Sequence, residues 1–100
     1  MSVIVMIRFR TDPDNIERYA QENAEQLKGI ADHGREHGAI HHRFMAGDGE
    51  LIVGDEWETE QGFREFFEHD EEIPKVMEAV GVQGEPEVSV FRPLDTPDSF

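Results

Sequence analysis

Residues 50–67, ELIVGDEWETEQGFREFF, pass from an apolar strand through an acidic shoulder into an aromatic helix, and their reading decides the fold. Leu51, Ile52 and Val53 make an apolar run of strand length that Trp57 closes. Thr59 is a favoured N-cap residue, and Phe63, Phe66 and Phe67 then recur at i, i+3 and i+4, on one helical face. A core strand thus feeds the most aromatic surface of the chain, and those rings are expected to wall any pocket.

Upstream, Gly47-Asp48-Gly49 forms a tight turn that pairs this strand with Ala39–Met45 as a hairpin. Alternation puts Ile40, His42 and Phe44 on one face and His41, Arg43 and Met45 on the other, and neither face is decisively the inner one. Val3 to Ile7 are all apolar, so the first strand reads as buried on both faces. Asp12 before Pro13 is an N-cap with a first-turn proline. One long amphipathic helix follows, with Ile16, Ala20, Leu27, Ile30 and Ala31 on a stripe, and stops before Gly38.

Downstream, Glu68, Asp70, Glu71 and Glu72 read as a solvated acidic face. Pro74 opens a fresh helical turn with Val76, Met77 and Val80 inward, ended by Gly81. Glu87 to Arg92 is a last strand, stopped by Pro93. Residues 1–93 make one domain, and 94–100 (LDTPDSF) are a polar tail with apolar anchors at Leu94 and Phe100.

The order β-α-β-β-α-β predicts an α+β, ferredoxin-like fold: a four-stranded antiparallel sheet, strands 1 and 3 central, helices on one face. The uncovered face would carry apolar side chains of the first strand. Pairing two such sheets face to face, as a homodimer, is the economical cover.

Composition narrows the function. Nine basic against 23 acidic residues give a net charge of -14, which repels nucleic acid and anionic membranes. The arginine-rich, acid-dominated balance fits either a GC-rich genome or a salt-rich cytoplasm. Without cysteine there is no disulfide framework, thiolate nucleophile or cysteine-ligated metal. MSVIVMIRFR lacks the basic leader and the apolar length of a signal peptide or membrane span, so a cytoplasmic protein is expected.

In VIVMIRFR, the helix after DPDNIERY, the hairpin, and EWETEQGFREFFEHD, the chain resembles the antibiotic biosynthesis monooxygenase (ABM) family of small dimeric α/β-barrel proteins. The likeness spans about residues 2 to 92 and centres on the E-W-x-[ST]-x-x-x-F turn. It implies a homodimer whose two sheets form an eight-stranded barrel, with a cleft in each subunit between sheet and helices. It further implies activities such as cofactor-independent oxidation of quinol-like aromatics. The haem-degrading branch uses a first-strand asparagine, a helix tryptophan and a histidine shortly after it. Here the first strand has no asparagine, and aligning Phe63 with the family phenylalanine puts Phe66 and Val76 at the other two positions. Haem is therefore not implied, and no cofactor is expected.

The candidate site residues follow. His41 or His42, alternating across the second strand, is the candidate general base, able to take a phenolic proton from a dihydroxy-aromatic substrate. Each also fits a half-exposed strand histidine bonded to a carboxylate or backbone. Trp57, Phe66 and Phe67 are candidate stacking residues, although the same spacing serves core packing. Tyr19 and Asn23, one turn apart, are candidate polar contacts. His33, His37, His41 and His42 form a possible metal cluster, and His33-Gly34-Arg35-Glu36-His37 spells the H-x-x-E-H of inverted zinc peptidases. A solvated helix end, where imidazoles meet the negative dipole, is the simpler reading of the first two. The readings are a dimer binding a small aromatic or quinone-like molecule and oxidising it with dioxygen, a non-catalytic ligand-binding or stress-response dimer, and a metal-binding protein.

Overall fold

The computed structural model describes residues 1–100. Eight elements follow in order: β1 (Val3–Arg10), α1 (Pro13–Glu22), α2 (Ala24–Glu36), β2 (Ala39–Gly47), β3 (Glu50–Trp57), α3 (Glu60–His69), α4 (Ile73–Ala79) and β4 (Gln83–Phe91). The strands form one antiparallel sheet in the order β2-β3-β1-β4, with β1 and β3 central. The α+β ferredoxin-like architecture is present, with each of its two helical segments split in two. No helix is long and apolar enough to cross a membrane.

Alternation along the central strands builds the core. Val5, Ile7 and Phe9 on β1 and Leu51, Val53 and Trp57 on β3 point to the helices and are buried. Ile16, Phe63, Phe66, Val76 and Val80 meet them from the helical layer. Trp57, Phe63 and Val5 are almost fully buried, and each such side chain stabilises the fold by about 1.5–3 kcal/mol. The expectation of a first strand buried on both faces is corrected within a single chain. Met6 is 39% exposed on the outer face, which also carries Ile4, Met45, Ile52 and Phe91.

The single long helix of the sequence reading is two helices that break at Asn23 (φ -131°, ψ 39°). Asn23 donates to the Tyr19 carbonyl through both its backbone N–H and its side-chain amide. Asparagine competes well for backbone groups in this way, which a periodicity count does not register. β4 begins at Gln83 rather than Glu87, taking in Pro86, which an edge strand tolerates. β2 carries an irregularity between Ala39 and His41, so Ile40 leaves the strict alternation and lies 45% exposed.

The turn from Trp57 into α3 is fixed by local chemistry. Thr59 Oγ1 accepts the Gly62 N–H at 3.0 Å, as its N-cap position predicts. A Cβ on Gly62 would lie 2.2 Å from the His37 carbonyl oxygen, so only glycine permits this approach. Gly38, at φ +103°, ends the α2 turn, and its carbonyl accepts the Glu58 N–H at 2.8 Å. The start of β2 is thereby tied to the end of β3.

The acidic stretch after α3 is not wholly solvated, because Asp70 is buried. Its Oδ1 accepts the N–H groups of Glu72 and Ile73 at the entry to α4, and its Oδ2 lies 2.6 Å from His33 Nδ1. Burial opposes its ionisation, but these hydrogen bonds and the nearby imidazole outweigh it and hold the carboxyl below its ordinary value. Stability from a depressed carboxyl is present above the unfolded value near 3.8 and is lost as pH falls through the folded value. Asp70→Asn should therefore cost about 1–2 kcal/mol in urea unfolding at pH 7. The gap should shrink at pH 3, and an equal gap at both pH values would contradict this role.

Candidate functional site

Between the inner face of the sheet and α2, α3 and α4 lies a cavity of about 350 Å³. Of its 23 lining residues 19 are hydrophobic, and the charged or titratable ones are Lys28, His42 and Asp55. An apolar chamber with few polar groups is the usual form of a small-molecule site.

Strand geometry assembles the polar end. Asp55 lies two residues from both Val53 and Trp57, so it points inward with them, and the β2/β3 register sets His42 directly opposite. His42 Nδ1 and Asp55 Oδ1 are 2.7 Å apart, and Trp57 Nε1 donates to Asp55 Oδ2 at 3.1 Å. A carboxylate only accepts, so His42 carries a proton on Nδ1, and in the neutral ring this leaves the lone pair on Nε2. The two side chains differ sharply in exposure, 44% for His42 and 7% for Asp55. The buried carboxylate orients an imidazole whose other edge is accessible. Phe44 packs edge-on against that ring at 5.0 Å.

The apolar wall is a chain of rings. Trp57 contacts Phe63 edge-on at 5.5 Å and Phe66 at 5.3 Å, and Phe63 stacks on Phe67 at 5.4 Å. His33, anchored by Asp70, backs Phe66 at 5.2 Å. Edge-to-face and offset contacts of this kind contribute about 0.5–1.5 kcal/mol each beyond area burial.

The structure brings together His42, Trp57, Phe66 and Phe67 on this cavity and leaves other candidates outside it. His41 pairs with Glu56 on the outer sheet face. Tyr19 donates its hydroxyl to Gln26, and Asn23 sits at the α1/α2 break; neither lines the cavity. Their one-turn spacing presumed a continuous helix. The four histidines of the possible metal cluster diverge: His33 engages Asp70, His37 Nδ1 lies 3.1 Å from the His33 carbonyl, His42 engages Asp55, and His41 faces away. No group of three or more His, Cys, Asp or Glu side chains converges to hold a metal ion. With Gly34 buried and His33 and His37 both packed on Phe66 of α3, the H-x-x-E-H string is structural.

No family sequence model and no curated protein sequence matches this chain. Solved structures do. SnoaB, a cofactor-independent oxygenase from Streptomyces nogalater, superposes with a TM-score of 0.63 at 15% identity, covering 98% of both chains. A monooxygenase from the ActVA-Orf6 gene of Streptomyces coelicolor, solved with the ligand nanaomycin D, gives 0.64 at 20% identity over 95% of this chain and 89% of that one. An antibiotic biosynthesis monooxygenase structure gives 0.63 at 9% identity over 93% and 99% of the two chains. The chain has the antibiotic biosynthesis monooxygenase fold. Within that ABM fold its cavity occupies the space between sheet and helices, and Asp55 is the polar residue that sequence reading passed over. A lone carboxylate on the otherwise apolar inward face of β3 was the available signal.

Proposed function

We propose that this protein binds a flat, quinol-like aromatic in the 350 Å³ cavity and oxidises it with dioxygen, with His42 as general base. The observation that carries this reading is the hydrogen bond of His42 to buried Asp55 at the rim of an aromatic chamber. The oxygenase structures of the same fold support it.

His42 Nε2 takes the proton of a phenolic or enolic hydroxyl, while Asp55 holds the ring and its tautomer. The resulting electron-rich anion passes one electron to dioxygen, and the radical pair joins at a ring CH carbon as a peroxide. His42 returns the proton to give the hydroperoxide, which loses water to leave a new carbonyl. One oxygen atom ends in the product and the other in water. This sequence asks the protein only for a base, a stacking surface and exclusion of bulk water.

A ligand-binding protein without turnover is the second reading, favoured by the almost wholly apolar lining. Either activity is proposed to reside in a homodimer paired through the outer sheet face. There Ile4, Met6, Met45, Ile52 and Phe91 form an apolar surface, bordered by Arg8 bridging Glu50 at 2.9 Å and Glu87 at 3.4 Å.

Oxygen consumption with naphthoquinols and anthrones separates the two readings. Wild type should consume oxygen, His42→Ala should lose about 100-fold or more, and His41→Ala should stay within about twofold. An undiminished rate in His42→Ala removes the imidazole from the chemistry, and tight binding without uptake selects the second reading. Sedimentation at micromolar concentration should show a two-chain particle that Met6→Asp splits, whereas a single-chain wild-type particle removes the dimer.

A further inference from the structure

α4 is the helix least bound into the fold. The backbones of α2 and α3 come close to the sheet and to each other, and α1 comes close to α2, whereas the backbone of α4 makes only sparse approaches to any other element. Its residues Ile73, Val76 and Met77 and its C-cap Val80 face the cavity, so part of their surface meets no packed neighbour. Elements with so few close contacts open at lower cost than the core.

Polar clamps at its two ends hold α4 in place. At the C-terminal end the Val80 carbonyl accepts Thr11 Oγ1 at 2.6 Å and Asn15 Nδ2 at 3.1 Å, and Thr11 and Val80 are both buried. Gly81, at φ +75°, then turns the chain toward β4. At the N-terminal end two side-chain bridges reach α2. His33 Nδ1 lies 2.6 Å from Asp70, and Gln26 Nε2 donates to Glu72 Oε1 at 3.1 Å while the Tyr19 hydroxyl donates to the Gln26 oxygen. No other hydrogen bond or ion pair joins α2 to α3 or α4.

The two ends differ in their access to water. The His33 and Glu72 side chains are 36% and 43% exposed, so water can take the place of the N-terminal bridges. Breaking the C-terminal clamp would instead leave buried groups without partners. Outside the N-terminal bridges lies a polar depression of about 400 Å³, whose walls include the four bridging residues and Ile30. Ile30 stands between Gln26 and His33 on the same face of α2, and it lines the cavity as well, so it is a wall common to both spaces.

Resting on the reading of the cavity as a ligand site, we propose that α4 is its lid, pivoting at Val80 and latched to α2 by Gln26 and His33, and that small molecules enter past Ile30 when the latch opens. Opening exchanges two solvent-reached bridges for water and leaves the Thr11 clamp in place. None of the four latch residues lines the cavity, so the latch governs the rates of entry and exit and leaves the affinity of the bound molecule alone.

The test follows menadione, an uncharged naphthoquinone, by stopped-flow quenching of Trp57, the single tryptophan and a cavity residue. Gln26→Ala should raise the association and dissociation rates by a common factor of about three to ten, with the equilibrium affinity unchanged within about twofold. The chain has no cysteine, so a Gln26→Cys, Glu72→Cys double variant can be joined by a short bis-maleimide. That bridge should slow both rates at least about tenfold. In the free protein the α4 amides should exchange hydrogen faster than those of β1 and β3, and faster still in Gln26→Ala. Unchanged rates in either variant, or α4 amides that exchange only together with the central strands, would overturn the lid, while menadione binding at equilibrium would leave the ligand site standing. No quenching in wild type would overturn the ligand site and the entry route with it.

Discussion

Asp55 is a carboxylate on the buried face of a central strand, in a layer otherwise made of Val5, Ile7, Leu51, Val53 and Trp57. Burying such a charge is costly unless donors satisfy it. Two do, one from His42 on the neighbouring strand and one from Trp57 two residues on. A single constraint therefore fixes the tautomer of the imidazole, the rotamer of the tryptophan and the registry of β2 against β3. Removing the carboxylate would leave the buried Trp57 N–H without its acceptor, at a cost of about 1–3 kcal/mol.

The rest of the structure positions this cluster. Gly62 against the His37 carbonyl, and Glu58 on the Gly38 carbonyl, bring the end of α2 to the start of α3. That approach sets Phe66 between Trp57 and His33. Asp70 then anchors His33 and starts α4, which with its C-cap supplies Val76 and Val80 to the cavity lining. Stability and site share the same contacts in this wall, and the outer sheet face takes no part in them.

The sequence made the strand order, the Thr59 cap and the aromatic face of α3 legible because each depends on local periodicity or capping. It did not reveal the break at Asn23, whose backbone N–H and side-chain amide both bond the Tyr19 carbonyl one turn back. Nor did it separate His41 from His42. Alternation says that two neighbours differ, while the pairing of β2 with β3 says which one meets the helices. The burial of Asp70 was hidden for a similar reason, since four acids within five residues look alike until a histidine 37 residues away claims one of them. Cross-strand and interhelical pairings are long-range facts, and composition carries little trace of them.

The most direct measurement is the ¹⁵N spectrum of the His42 side chain, assigned by comparison with His42→Gln. In its neutral form the ring should carry its proton on Nδ1, toward Asp55, with Nε2 unprotonated and shifting when a phenol is added. A neutral ring protonated on Nε2, or one indifferent to the phenol, would contradict the assignment of His42 as a base presented to the cavity.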